Sequence, residues 1–205
     1  MRTIAIQKAR DHLDLARQAV SGMDITLGFK TYEQAWSQFL TQVSRFYSKL
    51  EQGSKGCGKS VGWYGRIKHQ RRKDPLLSYL HHARDSDEHS IEDIVRRRAS
   101  GASIKFPSAK EVRFSANIRM NSDGTMEVQN QSIETPDGRF TDVEVENPRI
   151  QLVTVRDDRF GDKFDPPKEH MGAGIIDTSP LGIANIALEY LEATLQEALE
   201  LPQRV

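Results

Sequence analysis

The sequence predicts an α+β protein, mainly a helical bundle, with an antiparallel β-meander inserted between the third and last helices. Three observations carry that expectation. Apolar residues recur three and four positions apart over residues 4–21, from Thr31 to Gly53 and from Pro75 to about residue 98, the spacing of a buried helix face. After Gly101 the period drops to two, and after Ser179 the helical spacing returns. Strands and helices do not alternate along the chain, which argues against a parallel doubly wound sheet. One domain over residues 1–205 is expected: a helical part to residue 100, a meander and irregular connection over 101–178, and a returning helix over 179–200.

Each element has its own signal. Ile6, Ala9, Leu13, Ala16 and Val20 make one face of a first helix. Thr31 followed by Gln34 reads as a capping box for a second helix, whose apolar positions run from Trp36 through Phe39, Leu40, Val43, Phe46 and Tyr47 to Leu50. Gly53 is expected to end it. Asp74 and Pro75 read as an N-cap and a first-turn proline, starting a third helix that the spacing carries to about Arg98. Phe114, Ala116, Ile118 and Met120 alternate with polar residues as a half-buried strand. Turns are expected at residues 121–124 and 136–138, and Ile150 to Val155 is a further strand. Ser179 and Pro180 open the last helix, with Leu181, Ala184, Leu188, Leu191, Leu195 and Leu199 as its stripe and its glutamates as a solvated face.

The 205 residues carry zero formal net charge, but unevenly. From Gly53 to Lys73 there are seven Lys or Arg and no acid, whereas Glu189, Glu192, Glu197 and Glu200 crowd the C-terminal segment. Local phosphate binding fits this layout better than coating of nucleic acid does. A single cysteine, Cys57, excludes an intrachain disulfide framework and a cysteine-rich zinc site. The N-terminus lacks a signal-peptide run and no stretch is long and apolar enough to span a bilayer, so a cytoplasmic protein without membrane contact is expected.

Gly53 to Ser60, GSKGCGKS, matches the phosphate-loop string of Gly, four residues, Gly, Lys, Ser. That string works where a strand leads into a helix, so that backbone N–H groups wrap the phosphates. Here it follows a long amphipathic helix, and VGWYGRIKHQRRK after it lacks helical periodicity. A mobile basic loop over residues 53–73 is therefore expected, with no nucleotide cofactor. Trp63 and Tyr64, set among its cations, read either as core packing or as platforms for a nucleobase.

Tyr79 to Ile94 holds the richest chemistry. On a helix, Leu76, Leu77, Leu80, Ala83, Ile91, Ile94 and Val95 share an apolar face into which Arg84 and Asp87 intrude. An intrahelical bridge from Arg84 to Asp87 or Glu88 is the simplest accommodation. His81, Asp85 and His89 form a second row with four-residue spacing, and such donors also suit zinc or iron. The run from Arg84 to His89, RDSDEH, resembles the signature of HEPN domains: Arg, a polar residue, a few positions, then His, late in a small helical bundle. The resemblance covers residues 1 to about 100 and extends to the last helix as fourth bundle member, with the meander as a departure.

The resemblance implies a four-helix arrangement and a metal-independent endoribonuclease, often dimeric, in toxin–antitoxin or phage-defence settings. It implies His89 as general acid or base at a ribose 2′-OH, Arg84 as the group stabilising charge on the phosphorane, and Asp85 as the residue orienting one of them. Lys55, Lys59, Arg66, Lys68, Arg71 and Arg72 would then guide the RNA backbone. Because Arg84 and His89 point roughly 140° apart on an ideal helix, a homodimer with this helix near its axis is expected, as is an antitoxin or other protein partner. The alternatives are a non-catalytic interaction or dimerisation module, and a metal-binding helical protein using His81, Asp85 and His89.

Overall fold

The computed structural model describes residues 1–89, 93–98, 101–104, 113–120, 126–134, 143–146, 149–157 and 161–204. The protein is α+β and mostly helical, and it divides into two compact units, Met1–Arg96 with Gln151–Val205, and Arg97–Ile150. The first unit holds five α-helices among the described residues: α1 (Thr3–Ser21), α2 (Phe29–Ser54), α3 (Gly58–Lys73), α4 (Pro75–His89) and α5 (Pro180–Glu200). None of them is long and apolar enough to cross a membrane.

The two firmest helices pack on each other. α1 buries Ile6, Ala9, Leu13, Ala16 and Val20, as their spacing predicts, and α2 meets them with Trp36, Phe39, Leu40 and Phe46. Small residues along α1 let the axes approach closely. A Cβ on Gly53 would stand 2.4 Å from the Ala5 Cβ, so glycine is required there by proximity. Gly53 is therefore inside α2, not its cap, and the helix runs on to Ser54. Its start also differs from expectation: Gly28, at φ +97°, precedes the first helical residue, and no side chain caps the end. Thr31 is thus the third helical residue and not the N-cap that a capping box requires.

The largest correction concerns residues 53–73. Where a basic loop was expected, Gly58–Lys73 is the helix α3. Ser60, Trp63, Tyr64 and Ile67 are buried, a narrow stripe at three- and four-residue spacing. Gly58, Gly62 and Gly65 face open space and cost helix propensity of about 1 kcal/mol each relative to alanine. Burial of a tryptophan, a tyrosine and an isoleucine, at about 1.5–3 kcal/mol each, outweighs that cost. Trp63 Nε1 donates to Glu197 Oε2 on α5 at 2.8 Å, and Arg66 donates to the same oxygen at 2.5 Å.

α5 begins as predicted, with Pro180 in its first turn and the Ser179 hydroxyl accepting from the Gly182 N–H. Its buried face is rotated from the predicted leucine stripe: Ile183, Ala184, Ala187, Leu191, Leu195 and Ala198 are inside, while Leu181 and Leu199 are exposed. The glutamates are not merely solvated, since Glu192 pairs with Arg17 of α1 and Glu197 with α3.

A single residue, Asp74, joins α3 to α4. Its carboxylate, 4 % exposed, accepts the Leu77 N–H at 2.9 Å, the Met171 N–H at 2.7 Å and a ring N–H of His170 at 2.9 Å. The first of these is the N-cap the sequence predicts. The others tie down a tight hairpin between two short strands, Glu169–His170 and Ala173–Gly174, whose central residues Met171 and Gly172 both have positive φ. His170 also meets the Tyr190 ring of α5 edge-on, and Tyr190 donates to Gln70 of α3.

α4 stops short of its predicted end. Its last described residue is His89, and Val95–Arg98 is strand β1, paired with β6 (Arg149–Leu152). Ile94 and Val95 are buried as expected but not on the helix: Ile94 precedes β1 and Val95 opens it, and the distant partner strand that pairs with β1 is something local periodicity cannot reveal. Ile91 lies outside the described residues. In the second unit β2 (Gly101–Ile104) pairs antiparallel with β5 (Val143–Glu146), and between them in sequence β3 (Arg113–Met120) pairs antiparallel with β4 (Met126–Glu134). These pairs are nested, not sequential as in a meander. The partners' residue numbers sum to 247 from Gly101 with Glu146 through Ser115 with Ser132, after which an irregularity shifts the register by one. The predicted turns at 121–124 and 136–138 lie outside the described residues. The strand predicted from Ile150 to Val155 is split, with β6 followed by β7 (Val155–Arg156), which pairs with β8 (Lys163–Phe164).

Because Asp74 serves three donors at once, Asp74→Ala is expected to destabilise the helical unit by about 3 kcal/mol. The check is urea unfolding followed by the fluorescence of Trp36 and Trp63, both of which lie in that unit.

Candidate nucleic-acid interface

The corner at Asp74 decides which side chains meet. α3 ends in Arg71, Arg72 and Lys73, cations that the carbonyl end of a helix favours. α4 turns back beside them and presents Ser78, His81 and His82. Together with Lys68 and with Phe164 of β8, these residues line an open cleft of about 260 Å³. Lys68 reaches Glu51 at 3.6 Å, both side chains being about half exposed. The Phe164 and His82 rings are stacked at 3.6 Å between centroids, with planes 11° apart.

One turn further along α4 stands Arg84. Its guanidinium donates to Asp85 Oδ1 at 3.0 Å and to Glu88 Oε2 at 2.6 Å. The predicted bridge to Glu88 is thus present. Asp87 is not part of it; its carboxylate accepts the Ser37 hydroxyl of α2 at 2.5 Å. Asp85 also faces His81, 3.8 Å away. Arg84, Arg71, His81 and Tyr47 line a closed void of about 10 Å³, room for one water. The Arg71 guanidinium lies 3.9 Å from the centre of the Tyr47 ring, a cation–π contact. Among the described residues, Tyr47 Oη, Arg71 Nε and Arg84 Nε are buried polar atoms without a hydrogen-bond partner. Burial holds the Tyr47 hydroxyl well above the usual phenol range, although Arg71 opposes the shift.

The predicted site residues therefore separate into groups. Lys68, Arg71 and Arg72 line the cleft at the α3–α4 corner, and Arg71 also lines a pocket with Arg84, to which Asp85 is paired. Arg66 is engaged with Glu197 on α5. Lys59 is exposed in the first turn of α3, and Lys55 caps the end of α2 beside Arg204. The His89 side chain lies outside the described residues, so the row of His81, Asp85 and His89 is described only for its first two members. Trp63 and Tyr64 are core residues, with Tyr64 Oη donating to the Tyr47 carbonyl at 3.1 Å.

The GSKGCGKS string does lead into a helix, contrary to expectation, but what precedes it is α2 and not a strand. The Arg204 guanidinium donates to the carbonyls of Lys55 and Gly56. Those carbonyls hold a cation, the opposite polarity to the N–H cradle that a phosphate needs.

Sequence reasoning missed Phe164 and His82. Phe164 sits in a segment read as irregular, and no local pattern connects it to α4, 82 residues earlier. No family model, curated protein or solved structure matches this chain.

His82 gives the cleft a pH signature. Desolvation lowers its pKa below the ordinary 6.5, with Asp157, Asp85 and Asp162 opposing, and His81 is shifted the same way, again chiefly by desolvation. Below 6.5 the unfolded chain takes up these protons first, so stability is greatest above that pH and falls as pH drops toward the folded-state values. The urea midpoint is expected to decline from about pH 7.5 to about pH 5.5, and to decline less in a His82→Gln variant.

Proposed function

We propose that the protein is a metal-independent endoribonuclease of HEPN type. The observation that carries this reading is that Arg71 of the basic run and Arg84 of the Arg-to-His signature line one pocket with His81, while Lys68 and Arg72 line the cleft that shares Arg71 and His81 with it. Cations on α3 would hold the phosphate backbone, and Arg84 would stabilise the charge that builds on the phosphorane as a 2′-OH attacks. His89 serves as the general acid or base, and Asp85 orients Arg84, to which it is already bonded. A second copy of the chain, with α4 near a twofold axis, would offset the divergence of Arg84 and His89 around their helix. The protein is expected to run as a dimer in light scattering at micromolar concentration; a monomer would count against this arrangement.

One observation favours a second reading. Arg84 is bonded to two carboxylates of its own helix, as in a bridge that serves an interaction or dimerisation module. Single-stranded RNA incubated in EDTA separates the two. The nuclease reading expects cleavage that survives chelation and falls at least about a hundredfold in both Arg84→Ala and His89→Ala. The module reading expects no cleavage by any of the three proteins.

A further inference from the structure

We infer that the α3–α4 cleft is a subsite for one unpaired nucleotide, its phosphates held by Lys68, Arg71 and Arg72 and its base stacked on the ring pair of His82 and Phe164. The inference rests on the ribonuclease reading for its biological setting but on the cleft alone for its chemistry. The volume of about 260 Å³ lies just below the range of small-ligand pockets, about 300–1,000 Å³, so the cleft takes at most one nucleotide unit and no larger ligand. Its lining divides by chemistry. Three cations come from α3, and an aromatic platform comes from α4 and β8.

That platform is held in place. Phe164 lies on β8, where it pairs with the buried Val155, and its ring is stacked nearly parallel on His82. His82 in turn faces Asp157 at 3.9 Å. Phe164 is half-buried, with one partner in the His82 ring and part of its surface lining the basic cleft. A nucleobase covers such a ring and brings its own phosphates to the cations. Stacking of this kind tolerates any base, since every base has a π face, but it requires that the base be out of a duplex. The subsite therefore selects single-stranded over double-stranded RNA while reading little sequence. The aromatic residues that the basic run itself supplies, Trp63 and Tyr64, are buried and serve the core instead.

The test is equilibrium binding by fluorescence anisotropy in EDTA, using full-length protein and a fluorescein-labelled, fully 2′-O-methylated hexanucleotide. Lacking a free 2′-OH, this strand cannot be cut, so its binding is read independently of catalysis. An abasic strand of the same length and the corresponding duplex are the comparisons. Phe164→Leu is expected to weaken the base-bearing strand about tenfold or more and to leave the abasic strand unchanged, while Phe164→Tyr keeps wild-type affinity. Arg72→Ala should weaken both strands. The inference is overturned if the wild type binds neither strand or prefers the duplex, if Phe164→Leu affects both strands equally or neither, or if Phe164→Tyr loses as much as Phe164→Leu. Loss of RNA cleavage in Arg84→Ala and His89→Ala is a separate outcome, so either conclusion can fail while the other stands.

Discussion

The geometry of the helical unit turns on the Asp74 carboxylate. It is nearly buried, and burying a carboxylate is costly unless its lone pairs are filled. Asp74 fills them from three directions: the first turn of α4, the backbone of a strained hairpin residue, and an imidazole. A one-residue connection between two helices leaves few allowed corner geometries, and this carboxylate selects among them. Everything on the cleft side follows from that choice. Lys68, Arg71 and Arg72 face His81 and His82 because α4 leaves the corner in one direction, and the hairpin at Met171 is pinned to the same point.

Much of the helical part could be read from spacing alone. α1, the body of α2 and the starts of α4 and α5 follow from apolar periodicity and cap residues, which are local signals. α3 could not be read, because its glycines at 58, 62 and 65 look like breakers. What overrides them is the docking of Trp63 and Tyr64 beneath α5 and α2, a tertiary effect. β1 was hidden for a related reason: Ile94 and Val95 continue a helical spacing, and only the pairing with β6 distinguishes strand from helix. The candidate site was half legible. A motif names Arg84 and Asp85, and a charge run names Lys68, Arg71 and Arg72, but their adjacency needs the corner at Asp74. Phe164 could be found only in three dimensions.

A chain of zero net charge can still gather cations at one cleft because many of its acids are used elsewhere, although Glu51 reaches Lys68 and Asp157 faces His82 there. Glu197 and Glu192 are drawn to α3 and α1, and Asp74 and Asp87 are spent on caps and interhelical hydrogen bonds. The field at the corner is therefore set by position and not by composition. It is a short-range field, since the Debye length at physiological salt is about 8 Å. On the proposed reading, such a site would engage one or two phosphates of a strand at a time, and the remaining affinity would come from contacts that salt does not screen, of which aromatic stacking is one.

The carboxylates around Arg84 bear on whether that residue can act on a phosphate at all. Its partners Asp85 and Glu88 are on the same helix, and their side chains are 40 % and 36 % exposed. Exposed pairs of this kind contribute only about 0.3–0.5 kcal/mol each. An arriving phosphate can therefore displace Glu88 at small cost. Asp85 is different, because it also faces His81 at 3.8 Å and so has a second neighbour on its own helix. On the proposed nuclease reading, Asp85 would stay on Arg84 as an orienting group while Glu88 gave way to the phosphate, without rebuilding the helix.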